Sequence, residues 1–376
     1  MKYGILKLVI KMKVYVYIDP EYNGSVWCSQ TLKGLSSEAA KRHYGVYFLE
    51  NEDILSVNLD KVYGEEERRV LIVLTTRVIT DGRFYDHFAK NGVSLLFVNH
   101  QSSLSADNYS NVLVDYRKGM AQVIKYLSAL GKHSTALFAI NPASSTDQIK
   151  KEYFLSVALK SEDDIIYNNG SLDECCEKFG KGEKYDSVIC ANDVAAYCLM
   201  NYLRKKGISI PGDIYVVSFG DSLLSQLGSP SLTTISVDHT RLGRQALHAY
   251  SYLYKRSNGI RTSVYVTPVL NVRESTDNRK VSLKERVTVG TTVNDPMYSD
   301  ATAKRILNLE TMLASCDEND FKILKSINEG KTYSTISEEL FMSEKTVSYR
   351  VSCMRSILGC STKEELCEIV SEHINL

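Results

Sequence analysis

Residues 186–196 have the sequence Asp-Ser-Val-Ile-Cys-Ala-Asn-Asp-Val-Ala-Ala. They combine an apolar run with the start of an amphipathic stretch, a pattern that recurs along the chain. Ser187–Cys190 is an apolar run of strand length, and from Asp193 to Lys206 the apolar residues recur at helical spacing. Asp193 is a good N-cap for this helix, and Asn192 can satisfy backbone groups at the end of the strand. The stretch therefore predicts a strand that leads directly into a helix.

The same alternation of apolar runs and amphipathic stretches extends from residue 14 to about residue 275. It predicts a parallel sheet flanked by helices, in which the ligand-binding loops follow the carboxyl ends of the strands. The predicted strands are Val14–Ile18, Gly45–Leu49, Val70–Leu74, Ser94–Val98, Asn111–Val114, Ala136–Ile140, Asp164–Tyr167, Ser187–Cys190 and Tyr215–Phe219.

Composition describes an ordinary globular chain of two or three domains, with 376 residues, 44% hydrophobic residues, 24% charged residues and a formal net charge of zero. Lysines interrupt the apolar segment from Met1 to Met12, which is far shorter than the roughly 20 residues of a membrane span. We therefore expect no membrane partner and a cytoplasmic location. Translation from Met1 and from Met12 are both compatible with the sequence.

Catalytic and metal-binding signals are weak throughout the sequence. The nine cysteines show no paired Cys-x-x-Cys spacing with histidine partners, which argues against a zinc site or a redox dithiol. No nucleophile with a base partner and no phosphate-binding glycine loop stands out. We expect no catalytic residues, no metal, no cofactor and no enzymatic activity.

The last sixty residues predict four short helices. Asp317 can cap the first helix, which ends at Gly330; Thr335 to Leu340 forms the second, and Ser343 can cap a third that reaches Gly359. Ser361 has the capping-box spacing for a fourth helix. The third helix would bury Val347, Val351, Met354 and Leu358 and expose a polar face with one aromatic.

Several stretches of the larger segment together resemble the effector domain of LacI/GalR-type repressors and their periplasmic sugar-binding relatives. They are Asp186–Ala196, Gly207–Asp221, Leu232–Asp238, Leu242-Gly243 and Pro268–Ser275. The resemblance implies an α/β fold, the two-lobed periplasmic-binding-protein type I fold, with two Rossmann-like lobes joined by three crossing segments. We expect this domain to span residues 12–275, with crossings near 132–136, 233–240 and 256–268.

The same resemblance implies a ligand cleft between the lobes. The residues that match the cleft positions of the family are Trp27, Asn99, His100, Gln148, Asn192 and Gly220, with Cys28 and Val237 at two further matching positions. Only Trp27 and Asn192 keep the chemistry of the sugar-binding relatives, and each unpaired sugar hydroxyl would cost roughly 1–3 kcal/mol. These losses argue against a hexose or pentose held in the usual way and leave two alternatives, a less polar ligand or no ligand. Trp27 as a lobe-edge residue and His100 as a solvated loop residue are the plainer alternatives.

Three short stretches, Ile336, Phe341-Met342-Ser343 and Lys345-Thr346-Val347, match the pattern of one known domain. Through them, the C-terminal helices resemble the LuxR-type helix-turn-helix domain. The resemblance covers residues 316–376 and implies a small all-α domain whose third helix enters the major groove of double-stranded DNA. The residues it would bring to bases or phosphates are Lys345, Thr346, Ser348, Tyr349, Arg350 and Ser352. This segment has seven Lys/Arg against eleven Asp/Glu, so it would bind DNA weakly alone and depend on dimerisation.

Residues 276–315 link the two parts and contain a predicted helix at 299–314. This helix would pack between protomers, onto the effector domain, or on its own chain. The domain order differs from that of LacI-type repressors, whose DNA-binding helices lie at the N-terminus. The sequence thus predicts a homodimeric transcriptional regulator that responds to a small molecule or a partner. The alternative is a sensor protein that uses its C-terminal helices to dock another protein.

Overall fold

The computed structural model describes residues 11–49, 54–64, 68–79, 82–101, 109–157, 160–180, 182–256, 260–277 and 298–374. The segment before residue 11, which contains Met1, lies outside these residues. Half of the predicted linker, at 278–297, also lies outside them.

The strands, in chain order, are β1 (Met12–Ile18), β2 (Tyr44–Phe48), β3 (Arg69–Leu74), β4 (Val93–Val98), β5 (Tyr109–Val114), β6 (Thr135–Ile140), β7 (Ile165–Tyr167), β8 (Ser187–Cys190), β9 (Tyr215–Gly220), β10 (Thr233–Ser236), β11 (Ser263–Val266) and β12 (Val269–Asn271). The helices are α1 (Val26–Arg42), α2 (Leu59–Tyr63), α3 (Gly82–Lys90), α4 (Tyr116–Ala129), α5 (Ser145–Val157), α6 (Leu172–Phe179), α7 (Asp193–Lys205), α8 (Leu223–Leu227), α9 (His239–Tyr254), α10 (Glu274–Asp277), α11 (Ala301–Ser315), α12 (Glu318–Asn328), α13 (Tyr333–Glu339), α14 (Glu344–Leu358) and α15 (Lys363–His373).

The described strands form two six-stranded sheets, one in each of two lobes. The first has the order β11-β5-β4-β3-β1-β2 and is entirely parallel. The second has the order β12-β10-β9-β8-β6-β7, in which β12 is antiparallel to β10. All nine strands that the sequence predicted are present. The three that were not predicted, β10 to β12, are only three or four residues long and lie close to the lobe crossings.

Within the described residues, the chain crosses between the lobes three times. The first crossing is at Asp115, between β5 of the first sheet and α4, which packs on the second sheet beside Phe219 and Ile235. The expected crossing near 132–136 was therefore wrong, because α4 already belongs to the second lobe. The other two crossings follow β10, at 237–238, and β11, at 267–268.

A close contact between α1 and α9 holds the outer face of the first lobe together. A Cβ atom at Gly34 would lie 1.9 Å from the carbonyl oxygen of Thr240, and one at Gly243 would lie 1.9 Å from that of Thr31. Only glycine permits two helices to approach this closely. The contact positions α9, which follows the second crossing, against the helix that begins at the cleft.

The C-terminal helices pack as one body on the second lobe. The buried face of α11 includes Ile306, Leu309, Met312 and Leu313, and it joins the core of α6 and α7 to the core of α12–α15. Of the three possibilities for the predicted linker helix, the structure therefore shows packing on its own chain, against the effector domain. Its apolar face is covered without a second protomer.

Two further contacts attach α15 to the second lobe. The Nδ2 atom of Asn201 lies 2.7 Å from Nε2 of His373, and the backbone amide of Ser229 donates to the carbonyl oxygen of His373 at 2.9 Å. The N-cap of α15 is Thr362, whose hydroxyl accepts from the amide of Glu365, so the expected cap at Ser361 was one residue early. Ser361 instead donates its own amide to the Glu365 carboxylate.

Candidate functional site: the interlobe cleft and the exposed face of α14

A cavity of about 300 Å³ lies between the lobes, where the carboxyl ends of both sheets meet. Residues of both lobes line it, and so do residues of α11. One rim is closed by backbone hydrogen bonds between the lobes: Ser145 donates to the Thr76 carbonyl and Val78 to the Ala143 carbonyl, each at 2.7 Å. The lobes are thus in contact along this edge.

The first-lobe wall is formed largely by aromatic and amide side chains. Trp27, in the first turn of α1, lies with its ring centroid 5.9 Å from Tyr22 and 6.4 Å from His239. Asn99 follows β4 with a left-handed φ of 63° and accepts a 3.3 Å hydrogen bond from the Tyr116 hydroxyl. This wall offers a stacking surface and an amide group to an occupant.

A buried lysine is the main cation on the second-lobe wall. The Nζ atom of Lys150 lies 2.8 Å from a carboxylate oxygen of Asp147 and 2.8 Å from the carbonyl oxygen of Ala191. It also lies 5.0 Å and 4.9 Å from the ring centroids of Tyr116 and Phe219. A buried ammonium group requires such partners, because an unpaired charge in the interior is costly.

Asp193 is the central carboxylate of the cleft. It accepts hydrogen bonds from the hydroxyls of Ser218 and Thr234 and from the amide of Ser222. Gly220 lies against it with a φ of 147°, and a Cβ atom there would approach the carboxylate to 2.9 Å. The glycine is therefore required both by its backbone conformation and by space.

Asp221 and Arg273 tie the third crossing to the cleft floor. The guanidinium of Arg273 donates to Asp221 and, at 2.8 Å, to the carbonyl oxygen of Leu232. Asn271, on β12, donates to the same aspartate at 2.9 Å. Burial raises the pKa of Asp221 above its usual value, although the arginine opposes this shift. The pair fixes the loop after β9 against the strand that follows the crossing.

The linker helix α11 contributes a third wall. Its Glu310 is buried and accepts the backbone amides of Leu223 and Leu224, at 3.0 and 2.6 Å, at the start of α8. Burial raises the pKa of Glu310 to about 7, and the nearby charge of Asp193 acts in the same direction. Ile306 and Leu307, one turn earlier on α11, also line the cavity.

Four of the six predicted cleft residues line the cavity: Trp27, Asn99, Asn192 and Gly220. His100 and Gln148 do not. The ring of His100 is fully buried beside Phe97, 4.6 Å between centroids, and burial lowers its pKa to about 4. The amide of Gln148 donates to the carbonyl oxygen of Pro142, so its side chain points back to the loop before α5.

The N-cap of α7 is Asn192 and not Asp193 as expected, although both residues line the cavity. Asn192 is the N-cap of α7, with its side-chain oxygen accepting the Ala195 amide at 3.0 Å. Because Asn192 caps the helix, the Asp193 carboxylate can accept the hydrogen bonds from Ser218, Thr234 and Ser222. Sequence reasoning also missed Lys150 and Glu310, since a lysine or glutamate within an amphipathic helix gives no signal of burial.

The exposed face of α14 is the second candidate site. Ser343 caps the helix by accepting the Thr346 amide at 3.1 Å, and Val347, Val351, Met354 and Leu358 are buried as predicted. The opposite face carries exposed residues, which are Lys345, Thr346, Ser348, Tyr349 and Ser352. Tyr349 is 70% exposed. This face is free to meet a macromolecular surface.

Arg350 has a different environment from the other five predicted DNA-binding residues. Its guanidinium lies 2.9 Å from Asp317 and 2.8 Å from Asp320, the two residues of the capping box that begins α12. The sequence suggested a contact with the DNA backbone at this position. The structure instead places the charge in an ion-pair network within the chain.

Comparison with known proteins shows what the two-lobed part is similar to. Residues 124–276 match a family model described as a periplasmic binding protein-like domain. The chain is 24% identical over 216 residues to the probable HTH-type transcriptional repressor ExuR of Bacillus subtilis, covering 55% of this chain and 63% of ExuR. It is 31% identical over 106 residues to the HTH-type transcriptional repressor PurR of Haemophilus influenzae, covering 27% of this chain and 32% of PurR. The chain thus spans about a third to two thirds of these relatives.

Solved structures agree on the fold. A complex of the transcriptional regulator CelR with cellobiose superposes with a TM-score of 0.60 at 16% identity, covering 70% of this chain and 84% of that one. A LacI-type regulator from Bacillus cereus superposes with a TM-score of 0.60 at 20% identity, covering 72% of this chain and 100% of that one. The two-lobed part of the chain therefore shares its fold with these regulators, and residues 124–276 within it resemble a periplasmic binding protein-like domain.

Two classes of feature were not found in the part of the chain that the structure describes. It holds no group of three or more His, Cys, Asp or Glu side chains that could bind a metal ion. Within the same residues, no helix is both long enough and apolar enough to cross a bilayer.

Proposed function

We propose that this protein is a transcriptional regulator that acts in the cytoplasm as a homodimer, binds double-stranded DNA through a LuxR-type helix-turn-helix formed by α13 and α14, and responds to a small molecule in the interlobe cleft. The observation that carries the proposal is the two-sided chemistry of α14. One side is a buried apolar stripe, and the other is an exposed row of amine, hydroxyl and phenol groups beginning at a capped N-terminus.

That exposed face suits the major groove for a physical reason. Lysine and hydroxyl side chains donate to base edges and phosphate oxygens, and a helix N-terminus favours a phosphate. Lys345 and Thr346 lie in the first turn of α14, and Tyr349 and Ser352 follow on the same side. Five residues can therefore reach one surface without unpacking the helix.

The acidic balance of the C-terminal helices supports the homodimer. Non-specific affinity for DNA comes mainly from neutralisation of phosphates, and this segment has more Asp/Glu than Lys/Arg. The ion pairs of Arg350 remove a further cation from the DNA-facing set. Two units that bind two half-sites would supply the affinity that one unit lacks.

The effector site is proposed for the cleft because its walls combine a stacking surface with many polar groups. Trp27 and Asn99 face Asp193 and Lys150 across the cavity. A ligand that contacts both lobes stabilises the closed arrangement by its differential affinity for that state. CelR, which shares the fold, was solved as a complex with cellobiose. For this chain, a thermal-shift panel of sugars, nucleosides and amino compounds tests the site, since a ligand of the folded state raises the melting temperature.

A selection experiment tests DNA binding directly. The full-length protein is incubated with random duplex DNA, and bound molecules are recovered, amplified and sequenced over several rounds. We expect enrichment of one sequence that contains two related half-sites about one helical turn apart. Enrichment of no sequence would contradict the proposal and favour the alternative that these acidic helices dock a protein.

A further inference from the structure

The position of α11 links the cleft to the C-terminal helices through a single rigid element. One side of this helix, including Leu307 and Glu310, lines the cavity. Other residues of the same helix, including Leu309, Met312 and Leu313, are buried in the core shared with the C-terminal helices. The helix packs directly against α14 as well as against α7 and α8. Among the described residues, α12, α13 and α15 also pack on α14, and none of these three helices lines the cavity.

Glu310 fixes the cleft side of this helix. Its carboxylate accepts two amides of α8 while Ser222, just before α8, donates its amide to Asp193. The start of α8 is therefore held by one carboxylate from the linker helix and one from the second lobe. Any group that enters the cleft and competes for these carboxylates acts on α11 and on the lobe together.

On the far side, the C-terminal helices have little freedom to move independently of α11. Their apolar core is continuous with the buried face of α11, and α15 is attached to α7 through His373 and Asn201. Packed cores respond to a displaced element by shifting as units, because voids and overlaps are both costly.

We propose that α11 is part of the effector site, so that a polar small molecule in the cleft contacts both lobes and, through Leu307 and Glu310, the helix that supports α14. This inference rests on the proposed function of the cleft as an effector site. The occupant would carry at least one hydrogen-bond donor toward Glu310, because that side chain offers only acceptor atoms when ionised. The signal then reaches α14 through direct contact with α11.

The test uses a covalent occupant and needs no knowledge of the natural effector. Gln30, on α1, lines the cavity from the first lobe. A Gln30→Cys variant is made in a Cys353→Ser/Cys367→Ser background, because those two cysteines are exposed or partly exposed while the other seven are buried. It is treated with a methanethiosulfonate that carries a glucosyl group. The introduced thiolate forms a disulfide with the reagent, and methanesulfinate leaves.

The readout is hydrogen exchange of the backbone amides in 301–315 and 344–358. We expect the glucosyl occupant to slow exchange in both segments by about fivefold or more relative to the unlabelled variant. A change confined to peptides of the two lobes would overturn the inference. A Leu307→Ala substitution should reduce the effect in 344–358, since it removes a contact on α11.

Two controls make the result specific. The same label on a Lys118→Cys variant, at an exposed position on α4, should leave both segments unchanged. If Gln30→Cys does not fold, Val194→Cys places the label in the same cavity from α7. Hydrogen exchange is measured without DNA, so a negative result would not bear on the DNA-binding proposal. The selection experiment tests that proposal separately.

Discussion

The carboxylate of Glu310 accepts a 2.6 Å hydrogen bond from the backbone amide of Leu224. This contact joins α11, which leads to the C-terminal helices, to the start of α8 in the second lobe. Both residues line the interlobe cavity. One buried ionisable side chain therefore connects the candidate effector site to α11, the helix that packs on α14.

The first prediction concerns the ionisation of Glu310. Burial raises its pKa to about 7, against the ordinary value of 4.5 that holds in the unfolded chain. Between these values the folded state keeps a proton that the unfolded state has lost, so the free energy of unfolding falls as pH rises from 4.5 to 7. The loss amounts to about 3 kcal/mol at most.

Urea unfolding at pH 5 and pH 8 measures this effect. A Glu310→Gln variant should show a smaller decrease of stability over that range than the wild type. The matched control Glu318→Gln changes an exposed glutamate on α12 and should behave as the wild type. Equal pH dependence in all three proteins would contradict the assignment.

The second prediction concerns the contact between α1 and α9. A Gly34→Ala substitution places a Cβ atom 1.9 Å from the Thr240 carbonyl oxygen, so the helices must separate. We expect a loss of about 2–4 kcal/mol in the free energy of unfolding, as for overpacked or displaced core elements. Gly82→Ala, at a site with no atom within 4 Å, is the control and should be near neutral. Thermal melts of both variants provide the comparison.

The third prediction separates a structural role of Arg350 from a role in DNA recognition. Arg350→Ala removes two ion pairs to the capping box of α12 and should lower the stability of the C-terminal helices by about 1 kcal/mol. Hydrogen exchange in 318–328 should accelerate accordingly. The selected DNA sequence should stay the same. A changed sequence preference with unchanged exchange would instead assign Arg350 to the DNA.

The fourth prediction concerns the attachment of α15. Nε2 of His373 faces the donor atom Nδ2 of Asn201, and Nδ1 lies 2.8 Å from the Ile369 carbonyl oxygen, so this histidine is neutral. Burial lowers its pKa, although Glu372 opposes the shift. The unfolded chain therefore takes up a proton first, and stability falls as pH drops below about 6.5.

A His373→Gln variant should lose less stability than the wild type between pH 7 and pH 5, as followed by urea unfolding. The amide can accept from Asn201 but does not titrate in this range. A variant whose stability falls as steeply as that of the wild type would show that another group is responsible.

Much of the fold could be predicted because parallel strands buried on both faces form continuous apolar runs. Val70–Leu74 is such a run, and β3 begins one residue before it. Capping residues predicted the two ends of α14, with Ser343 at its start and Gly359 at its end. The short strands β10 to β12 could not be predicted, since three or four residues at a crossing carry no periodic pattern.

The cleft was harder to predict than the fold. Residues at strand ends, such as Asn99, are positioned by the sheet, and their location follows from the topology. Lys150 and Glu310 lie on helices, and which face of a helix meets the cleft depends on packing between elements distant in sequence. Glu310 and its partner Leu224 are more than eighty residues apart in the sequence. No local sequence pattern predicts that α11 packs against the cavity over such a separation.

The measurement that tests the central claim most directly is the affinity of the full-length protein for its selected duplex, by fluorescence anisotropy at fixed salt. Lys345→Ala and Tyr349→Ala, on the exposed face of α14, should each weaken binding by about 10- to 100-fold without a change in melting temperature. Lys118→Ala, an exposed lysine of the second lobe, should leave the affinity unchanged. If all three variants bind the duplex as the wild type does, α14 does not bind DNA through this face and the account is contradicted.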